Sequence, residues 1–317
     1  MPPAPRPGAR VSEPTPSSRA RELVRGGYDM HVHIAPDVVE RKISDVALAR
    51  RCTELGLAGF QMKSHYTSTA ERARVVREAV AGVHVLGAIT LNRAVGGLNA
   101  LAVEIAAREG ARTVWFPTVN SANEQHEVHP APPGARVPVW VKFELELLEA
   151  GHAGDPVAVV DADGALLPAA HDVLAVIARH DMVLATGHLS RDEIVTLVEA
   201  AVVAGVRQIV VTHPEFPSQQ LSIADQVALA DRGALLERCF TTPHTGKATW
   251  ELICRASREV GAAHTVWSSD LGQTFNPPVE DGLALMADQF LAAGFSDDEV
   301  ITMAVTNTRR LAGPESG

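Results

Sequence analysis

The feature that most restricts the fold of this chain is a regular alternation of short apolar segments with amphipathic ones. Eight segments of a few residues each are predominantly apolar, and each is followed by a stretch with the three-to-four-residue apolar spacing of a helix. Strands that are apolar on both faces and alternate with helices are typical of parallel sheets, and eight such units close into a barrel. The sequence therefore predicts an α/β fold, a (β/α)8 barrel of the TIM type.

An open, doubly wound sheet is the alternative architecture for alternating strands and helices. That fold commonly carries a G-x-G-x-x-G turn after its first strand, and many nucleotide-binding folds carry a Walker loop. Neither pattern occurs in this sequence, and the nearest glycine cluster, GGLN at 96–99, lacks the lysine and the spacing of a phosphate loop. The closed barrel is therefore favoured.

The length of 317 residues is compatible with one barrel domain. Residues 1–20 are rich in proline and small polar residues, which cannot bury apolar surface, so we predict a disordered N-terminal tail there. The barrel is predicted to span 21–317. The alternation of strand and helix segments is interrupted at about 120–168. This region contains HPAPPG and a hairpin sequence, VAVVDADGALLP, with Asp-Gly at its turn, which indicate a loop insertion after the fourth strand.

The amino-acid composition indicates which kinds of molecule this protein can bind. The formal net charge of −10 disfavours nucleic acid, which proteins bind through clustered Lys and Arg, and favours a small-molecule substrate. No apolar run approaches the roughly 20 residues that span a bilayer, and no secretory signal is evident, so we expect a cytoplasmic protein without a membrane partner. The three cysteines are widely separated and form no C-x-x-C, so any metal would have nitrogen and oxygen ligands. A homo-oligomer is compatible with the sequence.

Ionisable side chains recur where the predicted strands end. His31 and His33 in YDMHVHIAP project from one side of the first strand, because residues two apart share a face. Any one such histidine, taken singly, is more often structural than a metal ligand. Barrel active sites, however, are built at the carboxyl ends of several different strands. That position is also occupied by Lys63 and His65 on the second strand, His188 on the fifth, His213 on the sixth and Asp270 on the eighth.

Two further residues are candidates for substrate contacts. Glu237 lies within the seventh strand, where a carboxylate must be paired or face the barrel mouth. Asn92 follows the third strand, and specificity in barrels resides in such loops. His126 and His129 fall in the loop insertion, where we expect exposure and not ligation.

The ordered set of motifs resembles the amidohydrolase superfamily of metal-dependent hydrolases. DMHVH on the first strand, TGH on the fifth, VTH on the sixth and SSD on the eighth follow that family's order along the chain, and MAVTNTRRLAG is similar to its terminal helix. The resemblance covers most of residues 27–313. It is closest to a poorly characterised branch of the superfamily.

The resemblance implies a set of metal ligands. His31, His33 and Asp270 would bind one divalent metal, usually zinc, and His188 and His213 a second. Binuclear members bridge the two ions with a carbamylated lysine or a glutamate from the fourth strand, but TVWFPTV offers neither. Lys63 is the candidate substitute, which leaves one or two ions open. In mononuclear relatives His188 joins the first metal, and His213 becomes an acid/base group or a substrate contact.

The implied activity is hydrolysis of an amide, lactam, ester or related C–N or C–O bond in a small polar molecule by a metal-activated water. Asp270 would transfer the proton of that water, and His65 or His213 would stabilise the developing oxyanion. Three alternatives remain open. They are a mononuclear-metal decarboxylase or lyase on the same barrel, a phosphoesterase that also begins with His-x-His, and a binding protein without activity.

Overall fold

The computed structural model describes residues 14–125 and 139–314. In these residues eight parallel strands form one sheet in which each strand pairs with the next along the chain. The strands are β1 (Tyr28–Val32), β2 (Gly59–Met62), β3 (His84–Thr90), β4 (Ala111–Trp115), β5 (Val183–Ala185), β6 (Gln208–Val211), β7 (Leu235–Cys239) and β8 (Thr265–Ser268).

Helices occupy the connections between these strands and the two ends of the chain. They are α1 (Ser18–Leu23), α2 (Asp45–Leu55), α3 (Ala70–Ala79), α4 (Ala100–Arg108), α5 (Ala122–Gln125), α6 (Val139–Glu149), α7 (Pro168–Arg179), α8 (Arg191–Val203), α9 (Ile223–Asp231), α10 (Thr241–His244), α11 (Trp250–Val260), α12 (Gly282–Ala292), α13 (Asp297–Ile301) and α14 (Asn307–Ala312).

The barrel closes between β8 and β1, just beyond the end of β8. The amide of Asp270 donates to the carbonyl of His31 over 2.8 Å, and the amide of His33 donates to the carbonyl of Leu271 over 2.8 Å. These two bonds place Asp270 beside the His-x-His segment. The predicted (β/α)8 fold is therefore confirmed.

One cluster of buried apolar residues fills the inside of the barrel. It contains residues such as Met30, Leu86 and Trp115, and Leu311 of α14 packs with them. Because the hydroxyl of Thr308 accepts from the amide of Tyr28, the first residue of β1, α14 lies at the amino ends of the strands. The opposite end, where the strands finish, is left for the polar residues.

The amino-terminal segment corrects one boundary. We predicted a disordered tail over residues 1–20, but Ser18–Leu23 form α1, and Ala20 is fully buried. The hydroxyl of Ser17 caps this helix and donates to Asp288 of α12 over 2.6 Å. The helix is held by a contact that is distant in sequence, which local composition cannot show. Residues 1–13 lie outside the described residues.

The connection between β4 and α7 contains α5, α6 and a short hairpin. Val160 forms an antiparallel bridge with Leu166, and Gly164 takes a positive φ of 80° at the turn, so the predicted hairpin is present with a single bridge. HPAPPG, His126 and His129 lie outside the described residues, and the insertion predicted at about 120–168 stays a prediction. None of the helices in the described part of the chain has the length and apolarity that crossing a bilayer requires.

Candidate metal centre

Three side chains converge where β1 meets the end of β8. Oδ1 of Asp270 lies 3.4 Å from Nε2 of His31 and 3.2 Å from Nε2 of His33. These three potential ligand atoms all lie within 4.8 Å of one another, so they are close enough to share one cation. The predicted ligands of the first metal are therefore brought together by the structure.

Lys63 and Glu237 flank His31 on either side of its ring. Nζ of Lys63 lies 2.9 Å from Nε2 of His31, and Oε1 of Glu237 lies 3.3 Å from Nδ1. Both side chains are buried, and burial lowers the pKa of Lys63. Cys239 approaches Nδ1 of His31 to 3.8 Å, and His31, Glu237 and Cys239 form a second group of potential ligands at the base of the site.

His188 and His213 lie across the cavity from that cluster. Their ring centroids are 5.0 Å apart, and the ring of His213 lies 6.2 Å from that of His31. Burial lowers the pKa of both imidazoles, to about 3 for His213. Both rings are consequently neutral at pH 7, the form that binds metals.

Hydrogen bonds identify which ring nitrogen of these histidines carries the proton. The side-chain amide of Gln219 donates to the carbonyl of Gly187, so its Oε1 must accept from Nδ1 of His213 at 3.0 Å. Nδ1 of His188 faces the carboxylate of Glu124 at 3.5 Å, and Nδ1 of His31 faces Glu237. The rings of His31 and His213 thus hold their proton on Nδ1 and present an unprotonated Nε2, as metal-binding histidines do.

His65 has the opposite tautomer. Its Nδ1 lies 2.8 Å from the hydroxyl of Thr118, which already accepts a hydrogen bond from Nδ2 of Asn92. Within the described residues, His65 Nδ1 is the acceptor available for the hydroxyl proton of Thr118, so Nε2 of His65 carries the ring proton. Burial lowers the pKa of His65 well below its usual value, and the ring is a neutral donor.

Asp270 is ionised in this environment. Burial alone raises the pKa of its carboxyl, but the electrostatic attraction of His31, a hydrogen bond from His33 and the charge of Lys63 hold that pKa well below its usual range. Its second oxygen, Oδ2, accepts from the hydroxyl of Thr241 over 2.7 Å. The carboxylate is therefore fixed from both sides.

The backbone turns sharply at these strand ends. Asp270 has a φ of 54° and His213 a φ of 26°, in a region that residues other than glycine seldom adopt. Strain of this kind is typical of functional sites, where the surrounding structure enforces it. Gly272, with a φ of 136°, leaves no room for a side chain, because an added Cβ would lie 1.5 Å from the carbonyl oxygen of His33.

An open cavity of about 920 Å³ leads to these residues from the carboxyl ends of the strands. His33, Lys63, His65, His188, His213 and Asp270 line it. The structure places these six side chains at one end of the barrel, and none of the six lies within a strand, whereas His31 lies within β1. The others follow their strands, so the loops, and not strand alternation, set their direction.

The two predicted substrate contacts are placed elsewhere. Asn92 is fully buried, and its amide group binds the carbonyl of His65 and the backbone and hydroxyl of Thr118. Glu237 is 2% exposed and lies behind His31. Neither lines the cavity, so both support ligand or donor histidines and do not face a substrate in this structure.

Sequence reasoning missed the groups that orient the histidines. Glu124 of α5, Gln219, Thr118 and Thr241 each contact a predicted site residue. The sequence signal for Glu124 is its position, because it is an acidic residue that soon follows the fourth strand. The other three are common polar residues in loops, and nothing in their spacing marks them.

The fold and the site define a class of protein: a (β/α)8 barrel that gathers potential metal ligands at the carboxyl ends of its strands. The chain belongs to a family of unknown function, DUF6282, whose model matches residues 26–237. The match contains every predicted metal ligand except Asp270. No protein of curated function matches the chain.

Solved structures with the same fold include several amidohydrolase-type proteins. An amidohydrolase from Pseudomonas aeruginosa superposes with a TM-score of 0.57 at 11% identity, covering 92% of this chain and 98% of the other. A mutant organophosphorus hydrolase from Deinococcus radiodurans gives 0.54 at 15% identity, with 95% and 98% covered. YJJV, a TatD homologue from Escherichia coli, gives 0.53 at 14% identity, with 91% and 98% covered. The predicted resemblance to the amidohydrolase superfamily is confirmed at the level of the fold.

Proposed function

We propose that this chain is a metal-dependent hydrolase that cleaves an amide, lactam, ester or related C–N or C–O bond in a small polar molecule. The observation that carries the proposal is the convergence of His31, His33 and Asp270 within 4.8 Å of one another. The fold neighbours with hydrolase names support it, because they have the same barrel.

The donor set fits a divalent ion such as zinc. Two imidazole nitrogens and a carboxylate oxygen are ligands that zinc prefers, and the carboxylate behind Nδ1 of His31 is an arrangement typical of ligating histidines. A divalent ion held by His31, His33 and Asp270 would lower the pKa of water toward 7 and polarise a carbonyl group.

Asp270 is the residue to which we assign proton transfer. It is ionised, it lines the cavity, and its position is fixed by Thr241 and the two histidines. A carboxylate so placed accepts a proton from the attacking water and returns it to the leaving group.

His65 is the residue to which we assign stabilisation of the oxyanion. Its Nε2–H is available because Thr118 occupies Nδ1, and the ring lines the cavity 4.9 Å from the ring of His33, measured between centroids. A preorganised donor beside the ligand cluster stabilises negative charge where it develops on the carbonyl oxygen.

His188, His213 and Lys63 determine the number of ions in this proposal. The neutral imidazoles of His188 and His213 suit a second ion, and a carbamylated Lys63 beside His31 would supply the bridging oxygen atoms that β4 does not offer. With an unmodified Lys63 the site holds one ion.

A mononuclear-metal decarboxylase or lyase is the second candidate. The observation that favours it is the sequence of β4, Ala111–Trp115, which offers neither a lysine nor a glutamate to bridge two ions. Release of CO2 from a carboxylate substrate distinguishes this reaction from hydrolysis.

The test is turnover by the wild type and by Asp270→Asn, each reconstituted with zinc, manganese or iron. The panel comprises N-acyl amino acids, lactams and carboxylic esters, with CO2 release followed in parallel. Asn tolerates the positive φ of residue 270, so the fold and melting temperature should be kept. We expect kcat of the variant to fall by about 100-fold or more. An Asp270→Asn variant as active as the wild type would overturn the assignment.

A further inference from the structure

The cavity has a charge opposite to that of the chain as a whole. The protein has a formal net charge of −10, yet Arg41, Lys63, Lys142 and Lys247 line the cavity, and Asp270 is the one acidic residue among its described lining residues. A concave site lined by one sign of charge concentrates ligands of the opposite sign. A divalent ion bound to Asp270 would make the cavity more positive still.

Lys247 has a defined place in this cavity. It follows α10, and its Nζ lies 4.2 Å from the centroid of the Phe216 ring. The same ring lies 4.7 Å from that of His213 and 5.8 Å from that of His188. The ammonium group is therefore held one aromatic ring away from the histidines. Within residues 14–125 and 139–314, no carboxylate lies within 4 Å of it.

Arg41 is the second cation of defined position. Its side chain is 7% exposed, and its Nε donates to Oδ2 of Asp37 over 2.7 Å. This bond occupies one edge of the guanidinium, and the side chain lines the cavity. A guanidinium held in this way has N–H groups left for a second acceptor.

Aromatic side chains line the cavity alongside these cations. Trp140, Phe216 and Phe275 all contribute to the walls. Such walls favour a ligand with a flat apolar body, while the cations require a negative group on it.

We propose that the substrate carries a carboxylate on an aromatic or similarly flat body, and that Lys247 and Arg41, which line the same cavity, bind this carboxylate. This inference rests on the proposed function only in placing the reacting bond at His31, His33 and Asp270. Lys247 and Arg41 are then specificity-determining residues. Their charge-assisted hydrogen bonds select acids over neutral analogues of the same shape.

The test is a binding measurement that involves no turnover. Chelator-treated protein is titrated with three matched pairs of probes, each an acid and its amide: benzoate and benzamide, phenylacetate and phenylacetamide, and hippurate and hippuramide. Calorimetry gives the affinities, and the intrinsic tryptophan fluorescence, to which Trp140 in the cavity wall contributes, gives a second signal. Without metal, ligation of the carboxylate to an ion cannot contribute to binding. The result of this test therefore does not depend on whether the hydrolase proposal is correct.

We expect the best acid to bind about 10-fold or more tightly than its amide. Lys247→Gln should reduce this preference to less than about 3-fold, and Arg41→Gln should reduce it as well. Arg310→Gln, at an exposed residue of α14 at the other end of the barrel, should leave it unchanged. The proposal is overturned if no acid is preferred over its amide, including the case in which no probe binds. It is also overturned if folded Lys247→Gln keeps the full preference.

Discussion

The carboxylate of Glu237 lies 3.3 Å from Nδ1 of His31, while Nε2 of the same ring faces Asp270 and Lys63. The two residues come from β7 and β1, which meet across the interior of the barrel. Because Glu237 holds the proton on Nδ1, it leaves the other nitrogen unprotonated and fixes the ring plane. Glu237, which lies behind His31 at the base of the site, thus determines which nitrogen of the His31 ring is available to a metal ion.

Replacing Glu237 with Gln should weaken metal binding without unfolding the protein. Gln has the same shape but lacks the charge that stabilises the Nδ1–H tautomer, so we expect zinc affinity to fall by about 10- to 100-fold. Competition with a chromophoric chelator measures it. Glu193→Gln is the matched control, since Glu193 is buried in the capping box of α8 and Gln preserves that motif. Equal zinc affinity in Glu237→Gln and wild type would show that the contact does not orient His31 for a metal.

Replacing Lys63 with Met should change the number of bound ions. In the proposed binuclear site a carbamylated Lys63, buried beside His31, would bridge the two ions. We therefore expect loss of the ion that His188 and His213 would hold, and retention of the ion that His31, His33 and Asp270 would hold. Elemental analysis of both proteins, loaded with metal in the presence of bicarbonate, measures the number of bound ions. A wild type with one ion that survives Lys63→Met would instead favour the mononuclear lyase.

Replacing Gly272 with Ala should disrupt the contact between β1 and the residues that follow β8. The new Cβ would meet the carbonyl oxygen of His33 at 1.5 Å, a backbone atom that cannot move without displacing the ligand. We expect the free energy of unfolding to fall by about 3 kcal/mol or more. Gly205→Ala is the control, because its φ of 80° is also positive but no atom lies within 4 Å of the added Cβ, so about 1 kcal/mol is expected. Similar losses in urea denaturation for both variants would contradict the steric argument.

Asp225 gives a prediction about pH. Hydrogen bonds from Arg191 and Ser222 lower its pKa from 3.8 to about 2, so its contribution to stability is present above pH 3.8 and is lost as the pH falls through about 2. Asp225→Asn should lower the free energy of unfolding by about 1 kcal/mol at pH 7. The difference from wild type should shrink between pH 4 and pH 2. Asp231→Asn, at the exposed end of the same helix, should show no such difference. A constant deficit for Asp225→Asn across this range would contradict the assignment.

The barrel and the gathering of its polar residues could be predicted because their signals are periodic and ordered. Eight repeats of strand and helix leave few topologies, and the carboxyl ends of all strands in a closed barrel lie at the same end. For this reason His31, His33 and Asp270 could be placed together although they are distant in the sequence. The amidohydrolase-like order of the motifs added their roles.

The supporting residues could not be predicted because their positions depend on loop conformation. Glu124 reaches His188 only because α5 folds back after β4, and Asn92 turns inward to bind Thr118 instead of facing a substrate. The helix α1 was missed for a related reason, since its cap is anchored by Asp288 at the other end of the chain. Contacts between residues distant in the sequence leave no periodic pattern in the sequence around either residue.

The most direct test of the central claim is the metal content of the wild type and of His33→Ala, purified without chelators and then titrated with zinc and manganese. His171→Ala, an exposed histidine of α7, is the matched control. The account predicts at least one tightly bound divalent ion per chain in the wild type and in His171→Ala, and loss of that ion in His33→Ala. A wild type that binds neither metal, or a His33→Ala variant that keeps the full complement, would contradict it.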